Sequence, residues 1–359
     1  MDRRSLITRA GLAGVLATGI APAVHAQAAL RWRVASSFPK SLDTIYGAAE
    51  VFAQKVRQLS GGKFEVSVHA AGELMPAFNV VDGVQNGTVE AAHTAPYYFF
   101  GKDETFAIGG AIPFGLNSRQ MSAWTYEGNG LKLMREFYAK YNMVNFPCGN
   151  TGAQMGGWFR KEIKSAGDLK GLKFRIAGFA GEIMQRLGVV PQNLPGGEIY
   201  QALEKGTIDA AEWVGPYDDQ KLGFVKVAPN YYYPGFWEGS AQLDFFINDK
   251  AWNGLPADLK AIVEAAAAQA HMDMRSKYDA RNPVAIKQLV GQGAKLRAFP
   301  QDVMNAAWKT ANQVYEETSA KNENFRKVYQ DMVKFRADQN LWFRFTEGTF
   351  DRFMQAQKL

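Results

Sequence analysis

A single cysteine, Cys148, stands in 359 residues, so no disulfide can form within the chain and stability must come from packing. With no base beside it in sequence, Cys148 reads as a small buried hydrophobe. Histidine is nearly as scarce. Beyond the leader described below only His69, His93 and His271 remain, widely spaced and without a second ligand type nearby, which speaks against a zinc site. The familiar catalytic constellations are missing: no GxSxG elbow, no HExxH, no GxxxxGKS/T phosphate loop and no GxGxxG after a strand. Ser37-Phe38-Pro39-Lys40 fits S-x-x-K but lacks the companion boxes of that chemistry. No block of five or six like charges occurs, and no RNA-binding or zinc-finger signature accompanies the basic residues, so nucleic acid is not expected as a partner.

Long apolar runs are also wanting. The longest, from Ala10 to Ala23, falls short of the ~20 residues a membrane span needs and carries Pro22 near its end. It follows Arg3, Arg4 and Arg9 and precedes Val24-His25-Ala26, a small-x-small cleavage pattern. Residues 1–26 therefore read as a cleaved export signal, with Gln27 opening the mature chain. Arg3-Arg4 ahead of Ser5-Leu6-Ile7 is compatible with a twin-arginine signal, and the general secretory route stays open. Cleavage would remove three Arg and one Asp and lower the net charge from +6 to +4.

What the chain does have is an ordinary globular composition, 47% hydrophobic and 21% charged, with aromatics high enough at 13% to fill cores. Its length allows two domains. Leu30-Arg31-Trp32-Arg33-Val34 alternates as a strand; Ile45, Ala49, Phe52, Val56 and Leu59 share a helical face; Gly61-Gly62 stops that helix; and Phe64, Val66 and Val68 alternate again. This β-α-β opening predicts an α/β domain with a largely parallel sheet.

An internal repeat extends the prediction. Val84-Gln85-Asn86-Gly87-Thr88-Val89-Glu90-Ala91-Ala92 matches Leu203-Glu204-Lys205-Gly206-Thr207-Ile208-Asp209-Ala210-Ala211, and each copy runs on to a Pro-Tyr pair, Pro96-Tyr97 and Pro216-Tyr217. Each copy reads as a helix ended by Gly, a strand started by Thr, and a loop, which implies two similar α/β domains around a ligand cleft. Past Pro256 a helix is expected to end at Asn282-Pro283, with Leu259, Ile262, Val263, Ala266, Ala270 and Met274 in its stripe. Two further helical patterns follow at 303–318 and 324–337. The tail carries Leu341, Trp342, Phe343, Phe345, Phe350, Phe353 and Met354, an apolar load that must dock on the chain's own body or on a partner.

Polar residues at strand ends are the candidates for function, because open α/β sheets bind ligands beyond the carboxyl ends of their strands. Arg175, Glu212-Trp213 and the segment from His93 to Tyr98 lie at such ends. From spacing alone Arg175 reads as an outward-facing strand residue, Glu212 as a solvated strand end and Trp213 as a core aromatic.

A wider resemblance bears on these residues. Ala71-Gly72-Glu73-Leu74, Val84-Gln85-Asn86-Gly87, Asp168-Leu169-Lys170-Gly171-Leu172-Lys173-Phe174-Arg175 and Ala202-Leu203-Glu204-Lys205-Gly206 resemble the periplasmic solute-binding proteins of TRAP transporters, over essentially the whole mature chain. Residues 150–159 (NTGAQMGGWF), 211–217 (AEWVGPY) and 236–239 (FWEG) are most similar to the subgroup that binds 2-oxo and 2-hydroxy monocarboxylates with a metal cation. The resemblance implies the periplasmic-binding-protein fold: two α/β domains hinged about a cleft, with long helices bridging them. Domain I would comprise about 27–150 with about 240–255, domain II about 151–239, and the helical remainder about 256–359, with a possible dimer contact there.

It further implies that Arg175 clamps the ligand carboxylate, as a planar guanidinium can with two parallel donors. Gln154 would touch both ligand and cation. Glu212, Glu238 and the Trp213 carbonyl would complete an oxygen set suited to sodium or calcium. Asn150 and one of Tyr97 or Tyr98 would hydrogen-bond the ligand. A monocarboxylate, Arg175, Glu212 and Glu238 together carry −2, which a closed cleft would tolerate poorly without a cation. Calcium would cancel this charge and sodium would leave −1. The expected function is capture of a small monocarboxylate and its presentation to the membrane subunits of a TRAP transporter, without catalysis. The alternatives are a cation-dependent lyase or hydrolase acting on a small acid, and a ligand-presenting sensor.

Overall fold

A computed structural model describes residues 30–357; the expected leader, residues 1–26, lies outside them. The predicted opening forms as strand β1 (Leu30–Ser36), helix Gly47–Leu59 and strand β2 (Phe64–His69). With β3 (Ala91–Thr94), β4 (Met143–Asn150) and β10 (Gln242–Asn248) these strands build one sheet, ordered β2-β1-β3-β10-β4. Strand β1 runs parallel to both neighbours, whereas β10 is antiparallel to β3 and β4.

The second sheet contains β5 (Gly157–Phe159), β6 (Lys173–Arg175), β7 (Val190–Gln192), β8 (Ala210–Ala211), β9 (Asn230–Tyr233) and β11 (Lys295–Ala298), ordered β11-β9-β5-β8-β6-β7. It too is mixed, with β8-β6-β7 parallel and β5 antiparallel to β8 and β9. The chain crosses between the sheets after β4, after β9 and along a long helix, so neither sheet is built from one continuous stretch.

The repeat corresponds to equivalent architecture. Gly87 and Gly206 take φ of +72° and +71°, the left-handed conformation that glycine adopts without a Cβ clash. The acidic residue does the same work in both copies. A Glu90 carboxylate oxygen accepts the Arg33 backbone N–H of β1 at 2.7 Å, and Asp209 accepts the Lys173 N–H at the start of β6 at 3.0 Å. Each carboxylate thus secures the neighbouring parallel strand. One detail differs from expectation: the strands begin at Ala91 and Ala210, not at Thr88 and Thr207. Thr207 is instead held back toward the helix, donating to the Ala202 carbonyl.

The helix Ala257–Gly291 bridges the two bodies over 35 residues, about 50 Å. Leu259, Val263, Ala266 and Ala270 pack with the first sheet's core, while Met274, Tyr278 and Leu289 join aromatic residues of the second. Asn282-Pro283 does not end it, contrary to the sequence expectation. Proline removes one backbone donor, but the buried Tyr278, Ala285 and Leu289 hold the turns on either side. The region beyond 256, read from the sequence as helical segments, contains one further element. This is β11, formed because its backbone pairs with β9 at the sheet edge.

Helices Gln301–Lys321 and Glu323–Phe345 follow, longer than the predicted patterns, and Glu347–Gln355 closes the described chain. Phe325, Val328 and Met332 are buried against the first body. Further along, Trp342, Phe345, Phe350 and Phe353 are each about 60% exposed or more. The tail touches its own protomer through Arg119, which lies over the Phe343 ring and pairs with Glu347, but these four apolar side chains are left uncovered.

Candidate functional site

The polar candidates lie between the two sheets except His93, which sits within β3 in the first sheet's core with its ring Nε2 bonded to the Cys148 carbonyl at 3.0 Å. Asn150 ends β4, Arg175 ends β6, Glu212 and Trp213 follow β8, and Tyr97 and Tyr98 follow β3. Gln154 and Glu238 sit on the two crossing segments, after β4 and after β9. The strand ends thus bring one part of the candidate set together, and the crossings add the residues that spacing could not assign.

Arg175 and Glu212 contradict the reading from spacing alone: each is only 2% exposed. Two-residue alternation decides which face a side chain takes but not whether another domain covers that face. The Arg175 guanidinium is clamped from behind. Its Nη1 donates to the Glu212 carbonyl at 2.7 Å and to Glu212 Oε2 at 2.9 Å, and its Nε donates to the Leu194 carbonyl at 3.1 Å. The guanidinium carbon lies 5.1 Å from the centre of a Trp213 ring.

Gln154 Nε2 donates to Glu238 Oε2 at 2.7 Å and to Thr151 Oγ1 at 3.0 Å, while the Tyr97 hydroxyl donates to the same Glu238 oxygen at 3.4 Å. Asn150 is fully buried, accepting the Gly152 N–H at 2.9 Å and donating to Ser240 Oγ at 3.4 Å. Sequence reasoning missed Thr151, Leu194 and Ser240. Their contribution is positional, and no spacing signal marks a residue that orients another across a fold.

Among the described residues, Arg175 Nη2, Gln154 Oε1, Glu212 Oε1 and Trp213 Nε1 are buried without any hydrogen-bond partner. Native interiors leave few such atoms, because each costs ~1–3 kcal/mol. Other unpaired buried atoms, such as Tyr138 Oη and Asn145 Oδ1, lie elsewhere; these four are set apart by falling together on the strand ends and crossings between the sheets, which makes them the candidate receptor. The set is mixed: donors on Arg175 and Trp213, acceptors on Gln154 and Glu212.

The electrostatics agree. Burial pushes the Glu212 carboxyl well above its ordinary range, repulsion from Glu238 adds to this, and Arg175 opposes it. Burial likewise raises Glu238, to about 7, against the pull of Arg175, Gln154 and Tyr97. Burial disfavours the charge of Arg175, yet Glu212 and the other anions outweigh it and hold the guanidinium above its usual value. Tyr97 and Tyr98 are half-buried, their phenols pushed up chiefly by burial, that of Tyr98 to about 12. Both therefore remain hydrogen-bond donors at neutral pH. One cation beside two carboxylates is a deficit of positive charge. Unpaired, buried amide and carboxylate oxygens are the donor type that a hard cation takes, so the residues present fit such an ion. Among the described residues no three His, Cys, Asp or Glu cluster, so an ion held here would draw on amide and backbone oxygens as well as on carboxylates.

Two mixed α/β bodies enclosing a polar cleft, joined by crossings and a bridging helix, make this a two-lobed binding protein. The family model for bacterial extracellular solute-binding proteins, family 7, matches residues 35–322, and the chain belongs to that family. It is 48% identical to a monocarboxylate 2-oxoacid-binding periplasmic protein of Nostoc, over 92% of this chain and 90% of that one. A TRAP transporter solute-binding protein of Bordetella bronchiseptica, solved as a mixed-occupancy dimer with calcium and picolinate, shares 51% identity. It covers 91% of this chain and 98% of its own, with a TM-score of 0.90. A TRAP periplasmic solute-binding protein of Pseudoalteromonas atlantica, solved with sodium and pyruvate, shares 38% identity over 92% of this chain and 100% of its own, TM-score 0.87. The protein is thus a periplasmic solute-binding component of a TRAP transporter and not an enzyme.

Proposed function

We propose that the cleft captures a small 2-oxo or 2-hydroxy monocarboxylate, such as pyruvate or lactate, together with a sodium or calcium ion, and passes the acid to the transporter's membrane subunits. The observation that carries this reading is the unpaired set Arg175 Nη2, Trp213 Nε1, Gln154 Oε1 and Glu212 Oε1. Two donors suit a carboxylate and its neighbouring oxygen; two acceptors suit a cation.

In this proposal Arg175 clamps the carboxylate while Glu212 fixes the guanidinium plane. Asn150 and one of Tyr97 or Tyr98 hydrogen-bond the acid. Gln154 contacts both guests, and Glu212, Glu238 and the Trp213 carbonyl hold the ion. The ion supplies positive charge, which lets both carboxylates and the incoming acid be anionic together. The moving bodies are residues 27–150 with 240–255 and residues 151–239, carried by the helices beyond 256. Because the guests touch both bodies only in the closed form, their differential affinity shifts the population; a swing from 1:99 to 99:1 needs about 5.5 kcal/mol. A homodimer through the C-terminal helices is part of the same reading, supported by the exposed Trp342, Phe345, Phe350 and Phe353 and by the dimeric Bordetella relative.

A thermal-shift panel tests the proposal. Pyruvate or lactate at 100 times its Kd should stabilise the fold by about 2.7 kcal/mol. Calcium chelation, or replacement of sodium by choline, should abolish the shift and identify the ion. No response to any monocarboxylate would refute the ligand class.

A further inference from the structure

Away from the binding residues, the two bodies also meet through a pair of carboxylates whose side-chain partners are exchanged. Asp43 and Thr44 lie on the first body, in the loop between β1 and the helix Gly47–Leu59. Tyr217, Asp218 and Lys221 lie on the second, in the helix Pro216–Leu222 that follows the cation-side turn Glu212-Trp213-Val214. The buried Asp218 carboxylate accepts the Thr44 hydroxyl at 2.5 Å and the Tyr278 hydroxyl of the bridging helix at 2.6 Å. In the outer layer, the Asp43 carboxylate accepts the Tyr217 hydroxyl at 3.2 Å, Arg281 Nη1 of the bridging helix at 2.8 Å, and the Lys221 ammonium. Among the described residues neither carboxylate has a side-chain hydrogen bond from its own body, Lys and Tyr of the second body serving the first body's Asp43 and Thr44 of the first serving Asp218.

The second body's side of the contact is itself braced. Asn282 of the bridging helix accepts the Tyr217 backbone N–H at 3.0 Å, and Arg281 Nη1 also donates to the Tyr217 hydroxyl at 3.0 Å. The Arg281 and Lys221 charges both flank the Tyr217 ring, at 5.0 and 4.7 Å from its centre. Burial pushes the Asp218 carboxyl up to about 6, with Thr44 and Tyr278 pulling it down, so the inner layer is a carboxylate with two hydroxyl donors at neutral pH.

We propose that this two-layer contact is a closing clasp: residues that touch neither acid nor cation but are joined only when the lobes shut, and so set how long the acid is held. On opening, Thr44 leaves Asp218, and Asp43 loses Tyr217 and Lys221 at once. The inner bond is the stronger element because it is shut off from solvent, whereas the outer charges are partly exposed and act as a network. The contact biases the lobes irrespective of what they enclose, and its kinetic consequence rests on the function proposed above.

The test uses the full mature chain, with spin labels at Q58C on the first body and K205C on the second, in a C148A background. Asp43→Ala, Thr44→Val and the double variant are compared with the parent by the inter-label distance, without ligand, and by the rate at which excess buffer releases pyruvate bound with calcium. Thr44→Val should raise the release rate about 10-fold and Asp43→Ala about 5-fold, with association changed less than about 2-fold. The ligand-free distances should move toward the open population. Asp43→Glu should recover most of the effect, which a merely structural loss would not permit. Unchanged release rates and distances in all variants would overturn the clasp. If the parent binds no monocarboxylate, the ligand reading falls, and the clasp is judged on ligand-free distances alone: identical distributions refute it.

Discussion

Glu212 and Asp219 belong to the same stretch of chain and are equally hidden, at 2% and 1% exposure, yet they are treated in opposite ways. The Asp219 carboxylate is fully occupied by neutral donors. Trp158 Nε1 and the Tyr231 hydroxyl meet one oxygen at 2.9 and 2.7 Å, and the Val214 N–H approaches the other at 3.4 Å. Glu212 spends one oxygen on Arg175 and leaves the other without a partner among the described residues. A satisfied buried carboxylate is scaffold: it pins Val214 and so the turn that presents Glu212. An unsatisfied one is a place for something to bind. The contrast teaches that burial alone does not mark a binding residue; what sets Glu212 apart is a spare oxygen beside the unpaired atoms of Arg175, Trp213 and Gln154.

Substitutions at the two ends of this contrast should separate cleanly. The largest expected effect is Arg175→Ala, which should weaken pyruvate binding more than about 100-fold in calorimetry, because it removes the ligand's charge partner and strands Glu212. Arg175→Lys should recover little of this, since an ammonium cannot present two parallel donors. An unimpaired Arg175→Ala would place the carboxylate elsewhere.

Next come Glu212→Gln and Glu238→Gln. Each should cost about 10-fold or more in acid affinity and blunt the dependence on the cation. The unliganded Glu238→Gln protein should melt slightly higher than the parent, because a buried charge in deficit of counter-charge has been removed. If it melts lower, Glu238 belongs with the scaffold carboxylates and the comparison fails at that residue.

Asp219→Ala should do the reverse. Leaving Trp158 and Tyr231 without their acceptor should cost about 1–3 kcal/mol in urea unfolding, with a smaller loss of acid affinity than either Glu variant.

The same comparison can be read in the pH profile. Burial raises the Asp219 carboxyl to about 7 against the pull of Tyr231 and Trp158, far above its ordinary 3.8. The folded protein therefore holds this proton where the unfolded chain has released it. The resulting stability is present at low pH and is lost as pH rises from about 4 through 7. His93 and His271, lowered to about 4 by burial, act in the opposite sense over part of that range. The parent-minus-variant difference isolates Asp219: Asp219→Asn should remove a slope of at most about 1.4 kcal/mol per pH unit.

Much of the architecture was readable from local pattern. Alternation and helical spacing marked the opening β-α-β, and the glycines and acidic residues of the repeat marked two related bodies, because left-handed turns and strand-securing carboxylates are requirements of nearby backbone. The site was readable in two unequal ways. Strand ends singled out Arg175, Glu212 and Tyr97, but assigning Gln154, Asn150 and Glu238 needed the resemblance of whole segments to a known family. Pro283 misled, since a helix boundary inferred from a missing N–H ignores what the flanking side chains are packed against. Strand β11 was missed for a similar reason: Lys295–Ala298 is a strand only because β9 offers it an edge.

By itself, the sequence determined that this chain is built from two α/β bodies with no disulfide inside the chain, and which chemical groups stand at its strand ends. Those properties depend on neighbours within a few residues. Only the tertiary structure decided that Arg175 and Glu212 face inward, that Arg175 Nη2 and Glu212 Oε1 find no partner among the described residues, and that Asp43 meets Tyr217 and Lys221 while Asp218 meets Thr44. Burial and pairing of that kind are made by segments far apart in the chain, and their energies exist only once the two bodies are brought face to face.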